Sequence, residues 1–380
     1  MRVVFISGMY PQGHLSQFLV KGLTKIKNLD LIIYCEKIKN KNIFFDKTWN
    51  IKNVWSKNIK FFFQIFKEII KDKPDLVHLQ HEINMYGGKI TSILFPILIL
   101  FIKLTGAKIV VTIHSAIPKK FINEDMQNLF FTKLPKIFLI FFFKYLFFLI
   151  RIISDKIVVH TFLSKKILVN DYNYDKSSIK KIEFAIPQKK INKNKTKKFF
   201  FYFGYLTKRK GLENFLESFS YFIKDHKDYK FIMAGGIIPG QEQAKIEILS
   251  LIKKLKIKKF VKYIGFIEKR SQQEYYYNNA TAVIIPAIKT MGSSGPLLHA
   301  NSHEKCSIVT CEGHLKEEIT NMHNGILVKN NNWYKALKFV IENRKSVQKI
   351  ENNVSIIKKL RNPDSIANKY FKLYIALNDK

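Results

Sequence analysis

The stretch Phe199-Phe200-Phe201-Tyr202-Phe203-Gly204-Tyr205-Leu206-Thr207-Lys208-Arg209-Lys210-Gly211-Leu212 decides how the fold is read. Five aromatic residues make an apolar run of strand length, a glycine ends it, and a turn with three consecutive cations leads into a helical pattern. A strand apolar on both faces belongs in a parallel sheet covered by helices. Downstream, 231–234, 261–263, 282–285 and 307–310 read as further strands with helices between them. Upstream the same grammar runs through 3–6, 31–34, 76–79, 109–113 and 157–160, with helical patterns such as 16–27 and 61–71 in the gaps. Residues 188–198 are polar, charged and aperiodic, as a solvated linker would be. The expected fold class is therefore α/β, with two Rossmann-like domains whose parallel sheets face a cleft. The domains are 1–187 and 199–361, followed by a closing segment, 362–380. In open sheets of this kind ligands bind beyond the carboxyl ends of the strands.

Composition agrees. The 380 residues are 47% hydrophobic and include 33 Phe and 17 Tyr, enough for two cores and too apolar for a disordered or fibrous chain. Cys35, Cys306 and Cys311 are an odd number without Cys-x-x-Cys spacing, so neither a disulfide framework nor a zinc knuckle is supported, and a reducing compartment fits. The start of the chain reads as a strand rather than a signal peptide, so the expected location is cytoplasmic or peripheral on the cytosolic face of a membrane. The net charge is +36, yet only six basic residues are arginine. A lysine excess spread along the whole chain argues against nucleic-acid recognition, which favours the arginine fork. An anionic membrane surface would attract such a chain by about 1 kcal/mol per basic residue held near it, although solvated lysine faces also account for the charge.

Two apolar stretches bear on that choice. Residues 92–104 fall short of the roughly 20 needed to span a bilayer and read as a buried helix. Residues 129–153 are longer and unusually aromatic, but Lys133, Lys136, Lys144 and Arg151 interrupt them. They read either as a helix lying in a membrane interface, its cations reaching for headgroups, or as a core helix of the first domain.

Several signatures fail on their spacing. Lys89 of Tyr86-Gly87-Gly88-Lys89-Ile90-Thr91 is followed by Ile, so no phosphate loop forms. No Gly-x-Gly-x-x-Gly follows the first strand, no Asp-x-Asp pair exists to bridge a metal to a diphosphate, and no Gly-x-Ser-x-Gly supplies a nucleophile. What remains is a set of loops at strand ends. Gly13, in Tyr10-Pro11-Gln12-Gly13-His14, lets backbone approach an anion ahead of a helix. His114 ends a strand. Lys208, Arg209 and Lys210 are placed to neutralise a diphosphate leaving group, unless they are only a solvated basic turn. Gly292, Ser293, Ser294 and Gly295 form a nest of backbone donors ahead of another helix, suited to phosphate or sugar hydroxyls.

The order of Pro74-Asp75-Leu76-Val77-His78, Val110-Val111-Thr112-Ile113-His114, Ser154-Asp155-Lys156-Ile157-Val158, the 204–211 turn, Ala234-Gly235-Gly236, Tyr263-Ile264-Gly265-Phe266, Ile285-Pro286-Ala287 and Asn324-Gly325-Ile326-Leu327-Val328 resembles the GT-B glycosyltransferases of the retaining, glycogen-synthase-like family 4 group. The resemblance spans nearly the whole chain and lies in the order of the motifs. It implies an acceptor-binding first domain, a second domain that binds a nucleotide sugar, and a final helix, 363–377, that crosses back to the first domain. It implies no metal and no cofactor beyond a nucleoside diphosphate sugar as co-substrate. It sets Gly13 near the donor phosphates, His114 near the transferred sugar and Lys210 on the diphosphate. It also draws Ile267, the 292–295 loop and His299 around the donor. The departing phosphate would itself deprotonate the acceptor, so no carboxylate pair is demanded.

There are departures. Tyr205 stands where the family has arginine, a loss that Arg209 would offset. Met291 and His299 stand where it has two glutamates, and Glu304 and Cys306 where it has Gly and Pro. The expected activity is metal-independent transfer of a hexose, with retention, to a glycan or lipid-linked acceptor in cell-surface polysaccharide synthesis. The alternative is a catalytically inactive GT-B subunit that binds a glycan or a partner transferase.

Overall fold

The computed structural model describes residues 1–9, 15–37, 46, 48–122, 135–189, 191, 196–238 and 241–379. The chain divides into two units, Met1–Ala185 with Arg361–Lys380, and Ile186–Leu360.

In the first unit the elements run β1 (Arg2–Ile6), α1 (Ser16–Leu23), β2 (Asp30–Glu36), β3 (Ile51–Trp55), α2 (Phe61–Asp72), β4 (Leu76–His81), α3 (Lys89–Leu104), β5 (Lys108–Ile113), α4 (Lys136–Ile153), β6 (Lys156–Val159), α5 (Phe162–Tyr172) and β7 (Ile179–Lys181). The strands form one sheet in the order β3-β2-β1-β4-β5-β6-β7, with every pair parallel. The second unit holds β8 (Phe199–Phe203), α6 (Leu212–Asp225), β9 (Lys230–Ala234), α7 (Glu242–Lys254), β10 (Val261–Tyr263), α8 (Arg270–Asn279), β11 (Ala282–Ile285), α9 (Gly295–Ser302), β12 (Ser307–Thr310), α10 (Gly313–Glu318), β13 (Ile326–Val328), α11 (Trp333–Glu342) and α12 (Arg344–Leu360). Its sheet runs β10-β9-β8-β11-β12-β13, again all parallel. Both sheets reverse direction between their first and fourth strands, β1 with β4 and β8 with β11. That switch point is where the carboxyl ends of an open sheet leave room for a ligand.

The last helix, α13 (Pro363–Asn378), belongs to the first unit. Asn362 caps it by accepting from the Ser365 N–H, and Pro363 occupies its first turn. It lies on α1 so closely that a Cβ at Gly22 would sit 2.2 Å from the Pro363 carbonyl oxygen, so only glycine fits there. Tyr370 and Tyr374 are buried among β-strand residues such as Val3, Phe5 and Val110, and the Tyr374 hydroxyl is 2.5 Å from Nδ1 of buried His78. On the second unit's sheet, Phe200, Phe215, Phe219, Phe222, Phe231 and Trp333 fill one core. The aromatic strand quoted at the outset is thus buried, as its composition requires.

Local differences from the sequence reading have physical reasons. Helix α1 stops at Leu23 rather than 27: the chain tightens there, with Lys25 N–H donating to the Gly22 carbonyl and Ile26 N–H to the Leu23 carbonyl, and Ile26 still packs on the core. Strand β6 ends at Val159, so His160 lies just beyond it. The 188–198 stretch is bound to the second unit at its described ends, while Gln188, Lys197 and Lys198 stay exposed to solvent. Gln188 donates to the Lys358 carbonyl, the Lys189 ammonium meets Glu274 at 2.8 Å, and Lys197 N–H donates to the Asn279 carbonyl. Residues 129–134 of the aromatic stretch lie outside the described residues, and the helix that follows begins at Lys136.

Candidate active site

The second unit's turn after β8 is held by its own backbone. Lys208–Lys210 form a single 3-10 turn in which Lys210 N–H donates to the Thr207 carbonyl and Gly211 N–H to the Lys208 carbonyl. Gly211 has φ +62°, and a Cβ on it would stand 2.2 Å from the Pro286 carbonyl oxygen, so glycine is what lets this turn lie against the end of β11. The Arg209 carbonyl accepts from Ile288 and Lys289 N–H at 3.0 and 3.3 Å, joining the two loops. Of the three cations, Lys208 points to solvent, 76% exposed and 3.5 Å from Glu247, whereas Arg209 and Lys210 are half-buried. No carboxylate among the described residues forms an ion pair with Lys210. Burial, reinforced by Arg209, pushes its pKa down to about 7. An ammonium desolvated beside a second cation and lacking a counter-ion gains most from an arriving anion.

The 292–295 loop follows β11 and opens α9. The Ser294 side chain accepts from Leu297 N–H as the helix cap. Ser293 Oγ donates to Glu318 Oε1 at 2.6 Å, and Ser294 N–H donates to the same oxygen at 3.3 Å. A carboxylate from α10 therefore takes up part of the nest, which leaves the loop better matched to hydroxyls than to a naked phosphate at that point. On α9, His299 is buried with its ring 6.1 Å from Phe203 and 6.0 Å from Tyr277. Ile267 is buried in the same core as Tyr277 and Leu297. His303, one turn after His299, donates from Nδ1 to the His299 carbonyl at 2.8 Å, and burial pushes its pKa down to about 4. His299 and His303 make a His-x-x-x-His pair, which corrects the expectation that the histidines lack that spacing. Among the described residues no group of three His, Cys, Asp or Glu side chains is placed to hold a metal ion.

In the first unit Gly13 lies outside the described residues. His114 follows β5, and its N–H donates to the His81 carbonyl. Its ring stacks on Phe184, which in turn stacks on His160 with centroids 3.6 Å apart. Hydrogen-bond partners assign the tautomers. His160 Nδ1 lies 2.8 Å from the Ile182 carbonyl oxygen, which can only accept, so Nδ1 carries the proton and Nε2 is bare. His114 Nδ1 lies 3.2 Å from that Nε2 and therefore donates to it. Burial pushes the pKa of His114 down to about 4 and that of His160 well below its usual value, so both rings are neutral. The outcome is a His114 whose Nε2 holds an open lone pair, an acceptor for a hydroxyl hydrogen. Beside it, Ser115 donates to Glu82 at 2.8 Å.

The geometry can be set beside known proteins. Residues 184–355 match the family model for glycosyl transferases group 1. That segment covers nearly all of the second unit, including both loops just described. HepE (Alr3699) of Anabaena, in complex with UDP and glucose, is similar in structure with a TM-score of 0.76 at 12% identity, over 99% of this chain and 100% of that one. The sucrose-phosphate synthase of Thermosynechococcus elongatus is similar at 0.74 with 13% identity, and the apo form of WaaB, a lipopolysaccharide outer core galactosyltransferase, at 0.65 with 12%, each over 99% of both chains. These likenesses identify the fold as GT-B. No curated protein matches the chain.

Sequence reasoning passed over three residues that shape these two regions. His160 directly follows a strand as His114 does, and that parallel was the available signal. Phe184 and Glu318 gave none, because each reaches its place from an element distant in the chain.

Proposed function

We propose that the chain is a glycosyltransferase that takes a hexose from a nucleoside diphosphate sugar, retains the anomeric configuration, needs no metal, and acts on a glycan or lipid-linked acceptor at the cytosolic face of a membrane, in cell-surface polysaccharide synthesis. The observation that carries this reading is the half-buried Lys210, held at a strand's carboxyl end within the segment that matches glycosyl transferases group 1. HepE, solved with UDP-glucose, and WaaB, named a galactosyltransferase, support a nucleotide sugar as the donor.

As the sugar leaves, negative charge grows on the diphosphate oxygen, and Lys210 with Arg209 meets it without reorganising solvent. The acceptor hydroxyl loses its proton to that same departing phosphate. His114 accepts a hydrogen bond from a sugar hydroxyl through Nε2, and Ser293 with Glu318 binds another. The 292–295 loop, His299 and Ile267 wall the nucleotide side, and Gly13 serves the phosphates. The test is a panel of UDP and GDP sugars with EDTA present, read by donor hydrolysis and by protection against thermal unfolding. Response to at least one donor is expected, and silence toward all of them overturns the proposal.

A second reading, an inactive GT-B subunit that binds a glycan or a partner transferase, draws on Glu318. Its carboxylate on the Ser294 amide would repel a phosphate placed there. It draws also on Tyr205, Met291, His299, Glu304 and Cys306. Turnover that appears only when a neighbouring transferase is co-expressed would select it.

A further inference from the structure

Helices α2, α3 and α4 pack side by side over the first unit's sheet. Phe101 of α3 meets Phe62 and Phe66 of α2, with ring centroids 5.2 and 5.5 Å apart, and the Tyr145 hydroxyl of α4 donates to the Ile93 carbonyl of α3. Their inner faces fill the core with residues such as Ile65, Leu98, Phe143 and Phe147. Their outer faces are the unusual part. On α3 the exposed positions among the described side chains are Ile90, Ile93, Leu100, Phe101 and Leu104, separated by three, seven, one and three residues, and every one is apolar. On α4 they include Ile137, Phe138, Phe141, Phe148 and Ile152, between 49% and 61% exposed, and on α2 Phe63 is 70% exposed. Single exposed apolar residues need no account, but a continuous patch across three helices marks an interaction surface.

The charges choose the partner. Neither α3 nor α4 contains an acidic residue, while Lys136, Lys144 and Arg151 stand among the exposed rings of α4. On α2, Asp72 is turned inward to Tyr34 and Lys52, and Glu68 is already paired with Lys71 at 2.7 Å. A second copy of this chain would bring cations onto cations with no carboxylate from α3 or α4 to pair them. An anionic bilayer supplies the opposite charge and an apolar bed at the same depth. No helix among the described residues is long and apolar enough to cross a membrane, so the patch lies on the bilayer rather than through it.

We infer that the outer face of α2, α3 and α4 is the docking surface for an anionic lipid bilayer. This deepens the membrane-face reading above and rests on it, but not on the sugar chemistry. Phe and Ile side chains enter the headgroup boundary while Lys136 and Lys144 extend toward lipid phosphates.

The test is co-sedimentation of the full chain with phosphatidylcholine vesicles, with and without phosphatidylglycerol, in low and high salt. Donor hydrolysis is followed in the same samples without vesicles. Binding to the phosphatidylglycerol vesicles is expected. Phe138→Ser with Phe141→Ser, and independently Ile93→Ser with Leu100→Ser, should each weaken it by about tenfold or more, with thermal unfolding and donor hydrolysis unchanged. Ile356→Ser with Leu360→Ser, on α12 of the second unit, should leave it unchanged. Absence of vesicle binding, or equal binding by all variants, which would trace attraction to the overall charge, overturns the inference. So does light scattering that finds a dimer in the original chain and a monomer in the α4 variant. Failure of vesicle binding with donor hydrolysis intact removes the surface and leaves the transferase.

Discussion

Helices α4 and α12 are 18 and 17 residues long, one in each unit, and each buries a stripe of apolar residues. Outside that stripe they part. Helix α12 exposes Arg344, Lys345, Gln348, Lys349, Asn352 and Lys359 along with Ile356 and Leu360, an ordinary solvated face. Helix α4 exposes phenylalanine and isoleucine. The two sheets share the same order over six strands, the first adding β7 at its edge, so the common fold does not require the difference. The outer face of the first unit answers to something other than water, whereas the second unit keeps its special features for the loops at its strand ends.

That contrast can be tested, beginning with the largest effect. Phe143→Ala, on the inner side of α4, should cost about 3–5 kcal/mol in chemical denaturation because it opens a cavity in a packed core. Phe138→Ser, on the outer side of the same helix, should stay within about 0.5 kcal/mol of the original chain. Equal losses would mean that the outer rings are packed after all, and the comparison would fail.

Acid should separate the units next. Burial pushes the pKa of His78 and of His81 down to about 3, and those of His303 and His314 in the second unit to about 4. An unfolded histidine takes its proton near pH 6.5, well above these values, so the unfolded chain binds more protons over the interval between. Stability is therefore complete above about pH 6.5 and falls as the pH drops toward 4. At pH 5 the loss is about 2 kcal/mol for each of His78 and His81 relative to pH 7. With His114 and His160 also neutral, the first unit should be the earlier to lose hydrogen-exchange protection at pH 5.

In the second unit, Lys210→Ala should weaken response to an effective donor by about 1.5–3 kcal/mol, read as kcat/KM or as the donor concentration for half-protection, with vesicle binding unchanged. The smallest effect concerns the same residue. Because its pKa is about 7 and an anion favours the ammonium, binding of a sugar nucleotide should take up a proton and weaken as the pH rises from 7 to 9, by no more than about tenfold per unit. Lys210→Arg should remove that slope, since guanidinium stays charged throughout the range.

The central strands were legible because burial on both faces forces an unbroken apolar run. Phe199–Phe203, Ala282–Ile285 and Ser307–Thr310 lie where the sequence puts them, and so does one edge strand, Val261–Tyr263. The strands it missed, Ile51–Trp55, Ile179–Lys181 and Ile326–Val328, are all edges, where one side meets solvent or loops and polar residues such as Lys52, Asn53 and Lys180 blur the pattern. The cationic turn could be read locally, since Lys208, Arg209 and Lys210 are adjacent. Which of the three would turn inward could not, because Gly211 and the Pro286 carbonyl decide it across 75 residues of chain. The state of His114 depends on His160, Phe184 and Ile182, and no single-sequence pattern joins them.

Helix α13 gives the first unit an order of assembly. A ribosome delivers β1 to β7 before the second unit, yet the groove over α1 and His78 stays unfilled until Tyr370 and Tyr374 emerge, after the whole of Ile186–Leu360 has been made. The second unit can therefore complete its core while the first still waits with apolar side chains uncovered. Clipping behind Leu360 during synthesis or storage would injure the amino-terminal half, far from the cut in sequence.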